Sequence, residues 1–122
     1  MKPRILFVDD ETSMLEILSL FFRDKGYEVA TAETGLEAMR LADEGRFDLA
    51  IFDINMAGEN GLQLLSHFKS SFPGLPVVLF TSLPENDELL DQAAGRGASG
   101  FMRKTDSLED LCAAVRSYLP DR

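Results

Sequence analysis

Short apolar runs alternate with stretches of helical periodicity along this chain, and this alternation constrains the fold more than any other feature of the sequence. The apolar runs predict strands at residues 4–8, 27–31, 47–53, 77–80 and 99–104. Strands that alternate with helices form right-handed crossovers, which place helices on both faces of a parallel sheet. We therefore predict an α/β fold, a flavodoxin-like (βα)5 doubly wound parallel sheet with strand order 2-1-3-4-5.

Capping residues and apolar stripes delimit the helices between these strands. Thr34 and Glu37 spell a capping box, Asn60 begins the third helix, the fourth runs from about Asn86 to Gly95, and Ser107 caps the last. The predicted inward stripes are Met14, Ile17, Leu18 and Phe21 with Leu15 and Phe22 beside them, then Leu36 to Leu41, then Leu62, Leu65, Phe68 and Phe72, and finally Leu108, Leu111, Cys112, Val115 and Leu119.

Length and charge limit what the chain can be. It has 122 residues and a formal net charge of −9. We expect one domain over residues 1–119, with a tail at 120–122 that could continue in a longer protein. The acidic balance argues against direct contact with nucleic acid, which is bound through clustered Lys and Arg. No apolar run is long enough to cross a membrane and there is a single cysteine, so we expect a cytoplasmic protein.

Carboxylates follow the first and third predicted strands. Asp9 and Asp10 end the first strand, and Asp53 ends the apolar run of the third. Taken alone, Asp53 could equally cap the turn that follows it. In the predicted strand order, however, these strands are neighbours, so the three carboxylates should converge at the carboxyl edge of the sheet. A hard divalent cation, most simply Mg2+, would relieve the repulsion between them.

A hydroxyl and an ammonium group follow the fourth and fifth strands. Thr81 and Lys104 should reach the same pocket from its other side. One hydroxyl, one ammonium group and one metal ion can together bind the oxygens of a phosphoryl group, and a carboxylate can accept that group. This arrangement predicts that Asp53 attacks phosphorus.

These motifs, in this order and spacing, resemble the receiver domain of two-component response regulators over essentially the whole chain. The matching segments are Ile-Leu-Phe-Val-Asp-Asp-Glu at 5–11, Asp-Ile-Asn-Met-Ala-Gly at 53–58, Thr-Ser at 81–82 and Phe-Met-Arg-Lys at 101–104. The resemblance implies that Asp53 is the phosphoacceptor and that the donor is a phosphohistidine on a sensor histidine kinase or a histidine phosphotransfer protein.

The resemblance also implies roles for the surrounding residues. Asp10, Asp53 and the backbone carbonyl of Asn55 would bind Mg2+, with Asp9 acting through water. Thr81 and Lys104 would contact the phosphoryl group. Phe101 would be the aromatic residue that changes rotamer when Thr81 moves toward the phosphate.

The chain departs from the family pattern near these motifs. Ala57 and Thr105 stand where prolines are usual, so we expect a freer loop after Asp53 and a trans peptide bond after Lys104. Leu83 is apolar where some members carry an acid or an amide that orients water, which predicts slow self-dephosphorylation. His67 is expected at the surface, and Cys112 in the core.

The leading hypothesis is a phosphorylation-operated switch that signals through the fourth helix, fifth strand and fifth helix, rather than an enzyme acting on an external metabolite. Its output would be an effector domain or a target protein, and homodimerisation stays open. One alternative is a receiver-like interaction module that works without phosphorylation. Another is a Mg2+-dependent aspartyl phosphatase of the haloacid dehalogenase type. That family requires an Asp-x-Asp motif on the first strand, where this chain has Asp9-Asp10-Glu11.

Overall fold

The computed structural model describes residues 2–56, 59–81 and 87–119. The helices are α1 (Thr12–Asp24), α2 (Gly35–Glu44), α3 (Gly61–Ser71), α4 (Asp87–Gly95) and α5 (Leu108–Tyr118). The strands are β1 (Arg4–Val8), β2 (Glu28–Ala32), β3 (Leu49–Asp53), β4 (Asn55–Met56), β5 (Glu59–Asn60), β6 (Val77–Thr81) and β7 (Gly100–Arg103).

The main sheet confirms the predicted topology. Its strand order is β2-β1-β3-β6-β7, and every neighbouring pair is parallel. Strands β6 and β7 are therefore the fourth and fifth strands of the predicted order 2-1-3-4-5. The carboxyl ends of β1, β3, β6 and β7 meet at one edge, where the predicted polar residues emerge.

A short antiparallel pair that the sequence did not predict follows the third strand. Residues Asn55 and Met56 pair with Asn60 and Glu59, respectively. Two-residue strands carry no apolar alternation, so periodicity gives no signal for them. The pair returns the chain toward the sheet edge at the start of α3.

Both faces of the sheet are covered, which explains the near-continuous apolar runs of its central strands. Every residue of β3 is buried. Alternate residues feed two cores. One contains Leu6, Val8, Ala50, Phe52 and Leu79, and the other contains Ile5, Phe7, Ile51, Val78 and Phe80.

Two of the predicted helix stripes were wrong in detail. Ile17 is 49% exposed and Leu36 is 83% exposed. In α1 the buried line is Leu15, Leu18 and Phe22, and Ile17 lies about 100° away from Leu18 around the helix. In α2 the buried residues are Gly35, Ala38 and Ala42, so small side chains rather than Leu36 face the sheet.

The stripes of the later helices are closer to prediction. Helix α3 buries Gly61, Leu64, Leu65 and Phe68, while Leu62 and Phe72 are only partly buried. Helix α5 buries Leu111, Cys112 and Val115, as predicted. No helix in the described part of the chain is long and apolar enough to cross a membrane.

The predicted caps at the helix starts are confirmed. Thr34 Oγ1 accepts a hydrogen bond from the Glu37 backbone N–H at 3.1 Å, and Ser107 Oγ accepts one from Asp110 N–H at 3.1 Å. Asn60 Oδ1 accepts hydrogen bonds from the first turn of α3. Each cap satisfies a backbone donor that the helix itself cannot pair.

Candidate functional site

Lys104 lies at the centre of a cluster of charges at the carboxyl edge of the sheet. Its Nζ atom is 2.8 Å from Asp9 Oδ2, 3.0 Å from Asp53 Oδ2 and 3.0 Å from Glu11 Oε1. The Lys104 side chain is only 7% exposed. One buried ammonium group therefore contacts three carboxylates, of which those of Asp9 and Asp53 are buried and that of Glu11 is exposed.

The register of the sheet brings these groups together. In the β1–β3 pair, Val8 lies opposite Phe52, so the next residues, Asp9 and Asp53, leave adjacent strands side by side. The Asp9 backbone N–H donates a hydrogen bond to the Ala32 carbonyl at 3.0 Å, which ties this position to β2 as well. The location of both carboxylates is thus set by backbone pairing.

Asp10 completes a group of three carboxylates. Asp9, Asp10 and Asp53 each offer an oxygen atom, and these atoms lie within 4.8 Å of one another. Asp9 and Asp53 are buried, whereas Asp10 is exposed. The convergence predicted from strand order is confirmed.

Burial changes the protonation behaviour of Asp9. Burial raises the pKa of its carboxyl group; contact with Lys104 and the hydrogen bond from the Glu11 backbone N–H lower it, and the nearby charge of Asp53 raises it. The pKa of Asp9 ends above its ordinary value. The carboxylate form of Asp9 is therefore less favourable relative to the protonated form than it would be in water.

Burial by itself would lower the pKa of the Lys104 ammonium group. The contacts with Asp9, Asp53 and Glu11 outweigh that effect, and the pKa of Lys104 is raised above its usual value. Lys104 is consequently a permanent cation at neutral pH.

The residues present fit a divalent cation. Asp9 Oδ2 is buried and accepts no hydrogen bond from the described residues, although Lys104 Nζ lies 2.8 Å away as an ion-pair partner. Mg2+ binds a few carboxylates and retains waters, which matches two buried acids beside an exposed one. Asn55 lies two residues after Asp53, in β4.

Thr81 and Phe101 lie on the two strands, β6 and β7, whose carboxyl ends lead to this cluster. The Lys104 backbone N–H donates a hydrogen bond to the Thr81 carbonyl at 2.9 Å. Phe101 pairs with Leu79, two residues before Thr81, so Phe101 and Thr81 lie on the same face of the sheet. Phe101 is partly buried against the core on that face.

The sequence motifs do not identify two residues near the site. Glu11 contacts Lys104 across 93 positions of sequence, and no local pattern signals such a contact. Gly61 begins α3 so close to the residue after Asp53 that a Cβ atom would run into the Ile54 carbonyl oxygen and lie 2.8 Å from Ile54 Cα. In the sequence, the signal for this close approach is a glycine at the first position of the predicted third helix.

The remaining sequence predictions have mixed outcomes. Ala57, Ser82 and Leu83 lie outside the described residues, so the predicted loop freedom and slow self-dephosphorylation stay predictions. No cis peptide bond occurs in the described segments, which agrees with the expected trans bond between Lys104 and Thr105. His67 is exposed and Cys112 is buried, as predicted.

Comparison with known proteins gives one consistent result. A family profile described as the response regulator receiver domain matches residues 5–116. The chain is 32% identical to the transcriptional regulatory protein GlrR of Escherichia coli K12 over 119 residues, which is 97% of this chain and 27% of GlrR. It is 35% identical to the transcriptional regulatory protein PrrA of Mycobacterium tuberculosis over 122 residues, covering 98% of this chain and 51% of PrrA.

Solved structures agree. The chemotaxis response regulator CheY4 of Vibrio cholerae superposes with a TM-score of 0.89 at 30% identity, covering 98% of this chain and all of CheY4. The response regulator TrrA of Thermotoga maritima, solved in complex with Mg2+ and BeF, superposes with a TM-score of 0.84 at 32% identity, covering 98% of this chain and all of TrrA. This chain spans about a quarter to a half of the transcriptional regulators that it matches.

Proposed function

The chain belongs to the response regulator receiver domain family, a family of signalling domains, and on that premise we propose that Asp53 accepts a phosphoryl group. The observation that carries the proposal is the contact between Lys104 Nζ and Asp53 Oδ2 at 3.0 Å, with both side chains buried. Asp53 is the carboxylate that ends the fully buried strand β3. A cation beside it would stabilise the negative charge that develops during phosphoryl transfer.

The reaction is a displacement at phosphorus. A carboxylate oxygen of Asp53 attacks, the bond between phosphorus and the donor nitrogen breaks, and the electron pair leaves with the donor imidazole. Lys104 and the hydroxyl group of Thr81 contact the phosphoryl oxygens. Asp53 remains as a mixed anhydride, which water can later hydrolyse.

Mg2+ belongs to the proposal as the resident cation. Asp10, Asp53 and the backbone carbonyl of Asn55 would hold it, and Asp9 would act through water. When bound, the ion supplies positive charge that neutralises the phosphoryl oxygens. The support from this chain is the group of three acids and the unsatisfied Asp9 oxygen.

The proposed output signal passes from Asp53 through the Thr81 side chain to Phe101. A new dianion at Asp53 attracts the Thr81 hydroxyl group, which vacates space on the face of the sheet that Phe101 shares. Phe101 then turns inward, and the surface formed by α4, β7 and α5 changes. An effector domain or a separate target protein would detect that surface.

The donor would be a sensor histidine kinase or a histidine phosphotransfer protein, and the site of action the cytoplasm. The net charge of −9 argues against nucleic acid as a direct partner of this domain. Phosphate backbones require clustered basic side chains, so contact with DNA would be made by other parts of a regulator.

The proposal is tested by the intact mass of the protein after incubation with acetyl phosphate, with and without Mg2+. We expect the wild type to gain one phosphoryl group only with Mg2+, and Asp53→Asn to gain none. Circular dichroism of each variant checks that it is folded. No gain in folded wild type, with either acetyl phosphate or a phosphohistidine donor, would refute the proposal and favour an interaction module that works without phosphorylation.

Turnover distinguishes this proposal from an aspartyl phosphatase. A receiver takes up one phosphoryl group per chain, whereas a phosphatase would release many product molecules from a generic aryl phosphate. We expect the aryl alcohol to be released no faster than the aspartyl phosphate is hydrolysed. Steady release many times faster than that hydrolysis, and lost in Asp53→Asn, would contradict the assignment to a switch.

A further inference from the structure

Glu11 is an acid whose place in the charge cluster is unexplained by the proposed phosphoryl transfer. It stands at the N-cap position of α1, yet its side chain makes no capping hydrogen bond. Instead, Oε1 accepts a hydrogen bond from Lys104 Nζ at 3.0 Å, the same distance as the contact between Lys104 and Asp53. Glu11 therefore competes with the phosphoacceptor for one cation.

The ammonium group of Lys104 has three hydrogen atoms to donate. Two of these hydrogen atoms are donated to Glu11 and Asp53, and Asp9 Oδ2 lies 2.8 Å from Nζ as an ion-pair partner. Three carboxylate oxygens therefore already lie within 3.0 Å of Nζ, and an incoming phosphoryl oxygen must take the place of one of them. Lys104 is thus already occupied by three carboxylates of the protein before a phosphoryl donor arrives.

Exposure identifies which contact is released most easily. The side chains of Asp9 and Asp53 are 2% and 5% exposed, so either carboxylate would be left buried without its cation. The Glu11 side chain is 57% exposed, and water can solvate its carboxylate once it moves away. Releasing Glu11 is therefore much less costly than releasing either buried acid.

From this difference we propose that Glu11 is a positioning residue that holds Lys104 in the unphosphorylated state and slows phosphorylation until the phosphoryl group displaces it. The inference rests on the proposed function, since it needs Asp53 to be the phosphoacceptor. Half-exposed ion pairs are weak, so removing the contact should accelerate phosphorylation by about two- to fivefold.

Three variants separate the contact from the general negative charge at the site. Glu11→Gln removes the charge and the strong hydrogen bond, whereas Glu11→Asp keeps the charge on a side chain too short to reach Lys104. Glu16→Gln is the matched control, because it removes the same charge from an exposed position of the same helix. The measurement is the initial rate of phosphorylation by acetyl phosphate in Mg2+, followed by intact mass.

We expect Glu11→Gln and Glu11→Asp to be about two- to fivefold faster than the wild type, with Glu16→Gln unchanged. Acceleration in Glu11→Gln alone would show an effect of charge only and would overturn the proposal. Equal or slower rates in both Glu11 variants would overturn it as well. If the wild type itself takes up no phosphoryl group, the proposed function fails first and this inference falls with it.

A second readout excludes a merely structural role. Beryllofluoride with Mg2+ imitates the bound phosphoryl group without any bond-breaking step, so its affinity reports access to Lys104 directly. Both Glu11 variants should bind it about two- to fivefold more tightly. Weaker binding, whatever the thermal stability of the variants, would mean that Glu11 supports the site rather than restrains it, and would contradict the proposal.

Discussion

Lys104 and Arg4 are cations at opposite ends of the sheet, and each is paired with carboxylates in a different environment. The Lys104 side chain is 7% exposed and contacts Asp9, Glu11 and Asp53. The Arg4 side chain is 39% exposed and forms one ion pair, with Nε 3.3 Å from Glu28 Oε2. The Lys104 cation at the carboxyl end is thus shielded from water, whereas the Arg4 cation at the amino end is partly solvated.

At the amino end, Arg4 links β1 to the neighbouring segment of the chain. Arg4 Nη1 donates to the Arg46 carbonyl at 2.9 Å, its guanidinium group lies 4.6 Å from the Phe47 ring centroid, and its backbone N–H donates to Asp48 Oδ2 at 2.8 Å. These contacts fasten β1 to the segment before β3. A surface cleft lined in part by Arg46, Phe47 and Asp48 also lies at this end, away from the charge cluster.

The ion pairs of Lys104 and Arg4 have similar distances but differ in burial, and burial decides what each pair contributes. Exposed pairs add little to stability and are screened by salt. A buried cation among several acids is expensive to assemble and expensive to break. We propose that the Lys104 cluster serves the binding of a phosphoryl group rather than the stability of the fold.

The largest expected effect comes from removing the cation at the carboxyl end. Lys104→Met should lower the free energy of unfolding by about 3 kcal/mol at neutral pH in EDTA, because the carboxylates of Asp9 and Asp53 would stay buried without the positive charge of Lys104. Urea denaturation measures the change. A loss below about 1 kcal/mol would mean that the two ends do not differ as described.

The next effect concerns the backbone at each end. In Gly61→Ala the new Cβ atom meets the backbone of Ile54, whereas in Gly45→Ala it meets the flexible guanidinium group of Arg4, with Nη1 at 2.8 Å. We expect Gly61→Ala to destabilise the fold by about 2 kcal/mol and Gly45→Ala by less than about 1 kcal/mol. Thermal unfolding of both variants tests this, and equal losses would contradict it.

A smaller effect is expected from Mg2+. At ten times its dissociation constant, Mg2+ should stabilise the folded wild type by about 1.4 kcal/mol if the native acid cluster is its site, as we propose. Asp10→Asn should lose this stabilisation, whereas Glu28→Gln, at the Arg4 end, should retain it. Thermal shift in a Mg2+ titration gives the result. Equal responses in both variants would place the ion elsewhere.

The smallest effect is expected at Arg4. Arg4→Met should cost about 0.5–1 kcal/mol at low salt, through the lost exposed pair with Glu28 and the lost contact with Phe47. The share of this loss in unfolding free energy that comes from the ion pair with Glu28 should be smaller at 1 M salt, where the Debye length is about 3 Å. Urea denaturation at two salt concentrations checks both points, and a salt-independent loss of about 3 kcal/mol would contradict the description of this end.

The sheet and the convergence of its acids could be predicted because they depend on backbone pairing. Apolar runs give the strands, alternation with helices gives the topology, and the strand order brings Asp9, Asp10 and Asp53 to one edge. Lys104 follows from the same logic, since it comes directly after β7. These predictions need no knowledge of side-chain conformation.

Other features depend on side-chain reach and on the exact facing of helices, which periodicity does not fix. Ile17 and Leu36 were placed on inward stripes but are exposed, because the stripe of a short helix can be drawn one residue to either side. The contact between Glu11 and Lys104 depends on two long side chains meeting from different elements. The close approach of Gly61 to Ile54 depends on how α3 enters.

If the Lys104 cluster serves phosphoryl transfer to Asp53, the phosphoryl group must be found on that residue, and this can be tested by locating the modified position. Protein treated with acetyl phosphate and Mg2+ is reduced with sodium borohydride, which converts an aspartyl phosphate into homoserine, and its peptides are sequenced by mass spectrometry. We expect homoserine at position 53 alone. Homoserine at position 9 or 10, or none in a folded protein that was exposed to a competent donor, would contradict it.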